Sequence, residues 1–334
     1  MLNNFDELKN EDLNLLVRYE KQLKVLDDIR ALFGAAKIEF VALKGAVIRN
    51  LYDQPWQRRS ADVDILIKPE KLQRARSVLI EGGYKSFEKN SQHMVFYSPS
   101  RVMLEVHFTL CDYKRLPKGT LILENIWEKG CIRASSTAMT GFGESEYVMT
   151  DEYFYFFHIY HLAKHLISGG VKQRDVYDTF LLNTKIKFDK TKRDELLING
   201  GLKKVADELY KMANVMYAKP ENSPSEDTEY NKALEYYISH PELAYAANLA
   251  FEERNSRFKY LLTRLFPPFD LQKKAYPYVE KCPFLLPLSW LQRGYNLLTH
   301  GYAKKMKSMT SGTTSAKKED VEKLKNLFSD LELI

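Results

Sequence analysis

Cysteine is scarce in this 334-residue sequence, which contains three. Cys111, Cys131 and Cys282 form no C-x-x-C pair, so they indicate neither a disulfide framework nor a structural zinc site. The sequence also has no apolar run of the ~18 residues that a membrane-spanning helix needs. We therefore expect a protein of a reducing, cytoplasmic compartment without a membrane span.

A large excess of charge of one sign is also missing. The 50 basic and 44 acidic residues give a formal charge of +6, and the basic residues are spread along the chain. This mild basicity suits a small anionic substrate. Nucleic acid is compatible with it but is not indicated by it.

The sequence changes its pattern near the middle. The length exceeds that of a usual single core, so we expect two domains. Strand and helix patterns alternate up to the connector ASSTAMTGFGES, and helix patterns alone follow it. We place the domains at residues 1–145 and 146–334. The predicted strands are 38–43, 62–67, 92–98 and 101–110, and the predicted helices are 12–33, 45–52, 69–81, 151–168, 171–182, 201–217, 230–237, 241–265 and one from 319.

Two carboxylates share one face of the predicted strand 62–67. Asp62 and Asp64 point the same way because alternate side chains of a strand lie on one face. Like charges this close repel unless a cation lies between them. Glu105 faces outward from the predicted strand 101–110 and completes a triad if the two strands are neighbours. Oxygen ligands alone favour Mg²⁺ or Mn²⁺.

Four segments of the sequence resemble a known family. They are FVALKGAVIRNLY, RRSADVDILI, ARSVLIEGGY and MLEVHFTL. In this order they resemble an uncharacterised bacterial nucleotidyltransferase family of the polymerase-beta-like nucleotidyltransferase superfamily, strongly over residues 35–110 and more weakly beyond. The resemblance implies an α+β fold with a mixed sheet and flanking helices, followed by an all-helical domain that selects the acceptor.

The resemblance also implies an activity and roles for the triad. A nucleoside monophosphate would move from a nucleoside triphosphate to an unknown hydroxyl or phosphate acceptor, on a small molecule or a protein, by a two-metal mechanism with Mg²⁺ or Mn²⁺. Asp62 and Asp64 would bind both metals. Glu105 would hold the catalytic metal and take the proton of the acceptor.

One segment departs from the superfamily pattern, because the usual Gly-Ser is here Lys44-Gly45. The missing serine hydroxyl would contact phosphate, and the Lys44 ammonium stands near its place; the alternative is an exposed lysine at a strand end. Gly45 would let a phosphate approach the backbone, where the predicted helix 45–52 presents N–H groups. Arg58, at the family-like spacing before Asp62, is predicted to bind phosphate or to orient a carboxylate through forked hydrogen bonds.

Four residues are candidates for an acceptor site. His107 shares the face of Glu105, and it either orients a ligand or is a hydrogen-bonded structural histidine. His161 and His165 lie one helical turn apart, a spacing more common for core or cleft residues than for half of a zinc site. Arg174, on the next predicted helix, could meet them.

Two other functions remain open from the sequence. Glycosyltransferases also bind a metal–nucleotide complex through D-x-D, although they usually have a longer parallel sheet before that motif than the chain before Asp62 provides. A catalytically degenerate nucleotide-binding regulatory module would account for the missing serine.

Overall fold

The computed structural model describes residues 10–133, 145–168, 170–218, 231–251, 266–269, 272–273, 276–299 and 317–334. Within them, one mixed sheet is formed by seven strands. The strands are β1 (Phe40–Ala42), β2 (Asp62–Ile67), β3 (Lys85–Lys89), β4 (His93–Tyr97), β5 (Met103–His107), β6 (Cys131–Arg133) and β7 (Glu146–Met149). Their order across the sheet is β3-β4-β5-β2-β1-β7-β6. The pairs β2–β5 and β1–β7 are parallel, and the other neighbouring pairs are antiparallel.

Helices precede, interrupt and follow the strands. The α-helices are α1 (Asn10–Ala36), α2 (Gly45–Ile48), α3 (Leu72–Glu81), α4 (Pro117–Leu123), α5 (Ile126–Lys129), α6 (Asp151–Ser168), α7 (Gln173–Lys185), α8 (Lys190–Asn199), α9 (Lys203–Tyr217), α10 (Lys232–Ser239), α11 (Ala244–Phe251), α12 (Pro277–Lys281), α13 (Leu286–Thr299) and α14 (Lys318–Asp330). None of the helices in the described part of the chain is both long and apolar enough to cross a membrane.

The core of the sheet region lies on one face of the central strands. Apolar side chains of α1 and α3 pack there against alternate residues of β2 and β5, and all of them are buried. Burial of such side chains is the main favourable term in folding. Because the side chains of a strand alternate between faces, the polar residues of β2 and β5 lie on the opposite face. The buried set includes Val25, Ile29, Phe33, Val63, Ile65, Leu104, Val106, Leu72 and Leu79.

The chain divides into two compact units. The first comprises residues 1–160 and 176–203, and it contains the whole sheet. The second comprises residues 161–175 and 204–334 and is helical where the structure describes it. In the second unit, the Tyr237 hydroxyl donates to the backbone oxygen of Leu166 at 2.7 Å, and the Tyr237 ring meets Phe328 edge to face. These contacts tie α10 and α14 to the end of α6.

The predicted fold class is confirmed: this is an α+β protein with a mixed sheet, flanking helices and further helices after the sheet. Strand β2 has the predicted bounds, and the predicted helix 45–52 is α2 continued by a 3-10 turn, Arg49–Leu51. Strands β3, β6 and β7 and helices α4, α5, α8, α12 and α13 were not predicted from the sequence. Residues 252–265 of the predicted helix 241–265 lie outside the described residues.

The domain boundary at residue 145 stays a prediction. Strand β7 follows it directly and pairs with β1 inside the sheet, and residues 176–203 also belong to the first compact unit. Compactness alone does not test which part of the chain folds independently. The connector at residues 134–144 lies outside the described residues.

Candidate active site

The register of two parallel strands brings the predicted triad together. Strands β2 and β5 are neighbours, and Asp64 lies directly opposite Glu105. Asp62 precedes Asp64 by two residues on the same face. One ligand oxygen of each of Asp62, Asp64 and Glu105 lies within 4.8 Å of the others. Three carboxylates therefore converge on one point of the sheet, in an arrangement that could hold a metal ion.

The two aspartates experience opposite electrostatic environments. Burial raises the pKa of Asp62 above its usual value, and the nearby charge of Asp64 raises it further. Burial also acts upward on the pKa of Asp64, but the Lys44 ammonium and the His107 imidazole outweigh it and hold this pKa well below its usual value. The fold thus favours the ionised form of Asp64 and disfavours that of Asp62.

Lys44 contacts the triad through an ion pair. Its Nζ lies 2.7 Å from Oδ1 of Asp64, whose side chain is 4% exposed. Burial acts to lower the pKa of Lys44, but the charge of Asp64, followed by those of Glu105 and Asp62, raises it overall. The ammonium therefore supplies positive charge among three carboxylates, where a metal ion would also supply it.

The backbone at Lys44 is strained. Its φ is 45° and its ψ is −118°, a combination that a residue with a Cβ rarely adopts and that costs about 1–3 kcal/mol. The amides of Ala46, Val47 and Ile48 already donate to the carbonyl groups of Leu43 and Lys44. Most of the N–H groups that the sequence led us to expect free at this helix start therefore donate hydrogen bonds within the turn.

Gly45 makes room for a guanidinium. A Cβ on Gly45 would lie 2.3 Å from Nη1 of Arg58 and 3.2 Å from Oγ of Ser60. From the sequence, this glycine was predicted to serve the approach of a phosphate. In the structure, the side chain that comes closest to the missing Cβ is Arg58, so the glycine is needed whether or not a phosphate binds.

Arg58 forms a forked ion pair with Asp178 of α7. Its Nε and Nη2 donate to the carboxylate at 3.0 and 2.7 Å, and both side chains are almost fully buried. The Tyr52 hydroxyl donates to the same carboxylate at 2.7 Å. Arg58 therefore contacts a carboxylate through forked hydrogen bonds in this structure, and its role in binding phosphate stays a prediction.

The candidate acceptor residues fall into two groups. His107 lies beside the triad, with Nε2 at 2.9 Å from Oδ1 of Asp64. His161 and His165 contact each other through their Nε2 atoms at 2.9 Å, and the Arg174 guanidinium contacts Asp175 at 3.0 Å. These three belong to the second compact unit, and none is part of the three-residue metal clusters found among the described residues.

Several residues of the site were missed from the sequence. His93 of β4 lies directly opposite His107 of β5, and their ring centroids are 4.8 Å apart. The turn residues Pro99 and Ser100 do not predict this pairing, because a two-residue turn would set His93 opposite Val106, whereas the observed pairs are centred on Ser100. Ser60, whose hydroxyl donates to Oδ1 of Asp62 at 2.9 Å, carried no signal either.

A buried arginine also lay outside the prediction. Arg49 is 1% exposed; its Nε donates to the carbonyl oxygen of Gly45 at 2.7 Å, and its Nη2 donates to Oε1 of Gln22 at 2.9 Å. Burial, followed by the charge of Arg58, lowers the pKa of Arg49 to about 10. The Gln22 amide in turn donates to the backbone oxygens of Ser60 and Asp62. Helix α1 is thereby connected to both loops that carry the site.

Comparison with known proteins agrees with this geometry. No curated protein and no solved structure matches the chain significantly. A sequence model of the family described as "Uncharacterised nucleotidyltransferase" matches residues 4–218, which is more than half of the chain and includes the whole sheet. The chain therefore belongs to this nucleotidyltransferase family.

Proposed function

We propose that the chain transfers a nucleoside monophosphate from a nucleoside triphosphate to a hydroxyl or phosphate oxygen of an acceptor, by a two-metal mechanism. The observation that carries the proposal is the convergence of Asp62, Asp64 and Glu105 within 4.8 Å on neighbouring parallel strands. Family membership supports nucleotidyl transfer over sugar transfer. The test of the proposal also distinguishes it from a glycosyltransferase and from an inactive nucleotide-binding module.

The donor set fits a hard divalent cation such as Mg²⁺ or Mn²⁺. All three ligands are carboxylates, and the fold raises the pKa of Asp62 partly through the adjacent charge of Asp64. A cation held there relieves that repulsion. Bound metal ions would stabilise the developing charge on the entering and leaving oxygens of the phosphoryl transfer.

The chain's own residues supply the remaining steps. The acceptor oxygen forms a bond to the α-phosphorus, the bond from that phosphorus to the oxygen bridging to the β-phosphate breaks, and pyrophosphate leaves. Where the acceptor is a hydroxyl, its proton passes to Glu105. Asp62 and Asp64 would hold the metal ions that position the triphosphate.

Lys44 has two successive partners in this proposal. In the structure its ammonium neutralises Asp64. With Asp64 holding a metal ion, the Lys44 ammonium would be released from that carboxylate, and its Nζ would contact the phosphates. Lys44 thus reduces the repulsion among the carboxylates when no metal is bound. It then makes the phosphate contact that a serine hydroxyl makes in the superfamily pattern.

The test is mass spectrometry of the protein and of a metabolite pool after incubation with each α-labelled triphosphate and Mg²⁺ or Mn²⁺. We expect one acceptor to gain the mass of a nucleoside monophosphate while pyrophosphate accumulates. Turnover of a sugar nucleotide without pyrophosphate would favour the glycosyltransferase. Tight triphosphate binding without turnover across the whole pool would favour the inactive module.

A further inference from the structure

A second cluster of potential metal ligands adjoins the carboxylate triad on the same face of the sheet. It consists of His93 on β4 and of Glu105 and His107 on β5. One ligand atom of each lies within 4.8 Å of the others. The antiparallel register sets His93 directly opposite His107, so the backbone itself brings the two imidazoles together.

The spacing of the ligand atoms matches a shared ion. Nε2 of His107 lies 3.4 Å from one oxygen of Glu105, and Nε2 of His93 lies 3.8 Å from the other. Two ligand atoms that each lie ~2.0–2.1 Å from one tetrahedral metal ion are about 3.4 Å apart. The ligand atoms of the two histidines lie within 4.8 Å of each other, so rotations of the side chains would bring the three groups onto one ion.

Both imidazoles can supply a nitrogen ligand. The amide nitrogen of Asn90 lies 3.0 Å from Nε2 and 3.4 Å from Nδ1 of His93, and an amide NH₂ group only donates, so at least one of these ring nitrogens accepts and carries a lone pair. Nε2 of His107 donates to Oδ1 of Asp64 at 2.9 Å, so a metal ion would bind this nitrogen by replacing its proton. The cluster then offers two nitrogen ligands and a carboxylate.

We propose that His93, Glu105 and His107 form a second metal site that selects a borderline divalent ion of the Zn²⁺ or Co²⁺ class. Imidazole ligands suit such ions, whereas carboxylate and water ligands suit Mg²⁺. Glu105 has two carboxylate oxygens and belongs to both sites, so it can bridge an ion here to an ion held by Asp62 and Asp64. The site does not depend on nucleotidyl transfer, and it would bind its ion even if the proposed function were wrong.

The two sites have separable ligands, which gives a matched pair of variants. His93 belongs only to the histidine cluster, and Asp62 belongs only to the triad. The experiment titrates the full-length protein with Co²⁺ alone and follows the visible absorption of the bound ion. We expect His93→Gln to weaken Co²⁺ binding by at least ~100-fold, since loss of even an outer-sphere partner costs 10–100-fold. Asp62→Asn should retain it, and excess Mg²⁺ should not displace the ion.

The His161 and His165 pair requires a control, because it too could hold Co²⁺. His165→Gln should leave the absorption unchanged. Unchanged Co²⁺ affinity in His93→Gln, loss of the absorption in His165→Gln, or displacement by Mg²⁺ would each overturn the proposal. If His93→Gln does not fold, nitrogen NMR of the wild-type histidines with Zn²⁺ decides. The ring nitrogens of His93 and His107 should shift together, and saturation with Zn²⁺ without that shift would overturn it.

Discussion

At the scale of single residues, the site is built from charges that the fold treats unequally. Asp62 and Asp64 are two residues apart on one strand face, yet the pKa of the first is raised and that of the second is lowered. The difference comes from Lys44, which pairs with Asp64 at 2.7 Å, and from His107, whose Nε2 lies 2.9 Å from the same carboxylate. Asp62 receives a hydrogen bond from Ser60 but no ion pair within the part of the chain that is described. The stability of the protein should therefore respond in opposite directions when each carboxylate is neutralised.

We predict that Asp64→Asn destabilises the protein by about 1–3 kcal/mol at pH 7, because it leaves the half-buried Lys44 ammonium without its partner. Asp62→Asn should instead be neutral or stabilise by up to about 1 kcal/mol, because it relieves repulsion between like charges. The measurement is the free energy of unfolding in denaturant for both variants and the wild type. A stabilised Asp64→Asn would contradict the ion pair.

The differences in unfolding free energy between these two variants and the wild type should depend on pH. The folded pKa of Asp64 lies below the unfolded value of about 3.9. Ionised Asp64 therefore adds to the free energy of unfolding above that pH, and this stabilisation is lost as the pH falls toward the folded pKa. The folded pKa of Asp62 lies above the unfolded value, so its penalty is absent below pH ~3.9 and develops as the pH rises through the folded pKa. The differences between the variants and the wild type should therefore shrink in acid.

Lys44→Met should change two affinities in opposite directions. Loss of the ammonium should weaken binding of a triphosphate with Mg²⁺ by about 5- to 150-fold, equivalent to 1–3 kcal/mol, since a charged hydrogen bond to phosphate is lost. It should strengthen binding of Mg²⁺ alone, because Asp64 loses its competing cation. Calorimetry at two salt concentrations measures both, and salt should weaken the wild-type triphosphate complex more than the variant's.

Lys68 provides the matched control for that substitution. It follows the far end of β2 and pairs with Glu39 at 3.1 Å. Lys68→Met removes the same charge but should leave both affinities unchanged, and Lys44→Arg should recover part of the triphosphate affinity. Equal triphosphate affinities of the wild type and Lys44→Met would make Lys44 a partner of Asp64 alone.

At the scale of secondary-structure elements, the strands that carry the site could be predicted and several others could not. Strand β2 was predicted with its observed bounds, because Val63 and the run 65–67 are apolar. In strand β5, Leu104 and Val106 are buried and Glu105 is partly buried, which agrees with the alternation that the sequence predicts. Strand β3, with the sequence KSFEK, is polar and lies at the sheet edge, so it carries little hydrophobic signal.

Contacts between elements that are distant in sequence were beyond prediction. The Arg58 and Asp178 pair joins residues 120 positions apart, and no local pattern marks it. The resemblance predicted Arg58 as a residue of the site but left open whether its guanidinium contacts a phosphate or a carboxylate. The ion pair between Lys44 and Asp64 and the unusual backbone angles of Lys44 are likewise marked by no local pattern in the sequence.

Glycine substitutions test how tightly the loop before α2 is packed. Gly45→Ala should destabilise the protein by about 2–4 kcal/mol, because its Cβ would displace the Arg58 guanidinium from its buried pair with Asp178. Gly34 lies inside α1, and a Cβ added there would meet no atom within 4 Å. Gly34→Ala should therefore stabilise by about 0.5–1 kcal/mol through helix propensity. Thermal or denaturant unfolding measures both, and a harmless Gly45→Ala would contradict the close approach of Arg58.

At the scale of the whole molecule, the chain divides into two compact units, of which the first holds the sheet together with residues 176–203. The sequence predicts a connector at residues 134–145 because small and polar residues and two glycines replace the apolar periodicity there. We expect limited proteolysis to cut first within this stretch, most of which lies outside the described residues. Protection of this stretch, with first cuts inside α6 or β5, would argue against the predicted boundary.

The most direct test of the account is transfer of label from an α-labelled nucleoside triphosphate in the presence and absence of Mg²⁺ or Mn²⁺. The wild-type protein should release pyrophosphate and label an acceptor only with the metal. Asp62→Asn, which we expect to fold as well as the wild type, should abolish both products. Label transfer that persists in folded Asp62→Asn, or that proceeds equally in a metal chelator, would contradict a metal-dependent transfer at Asp62, Asp64 and Glu105.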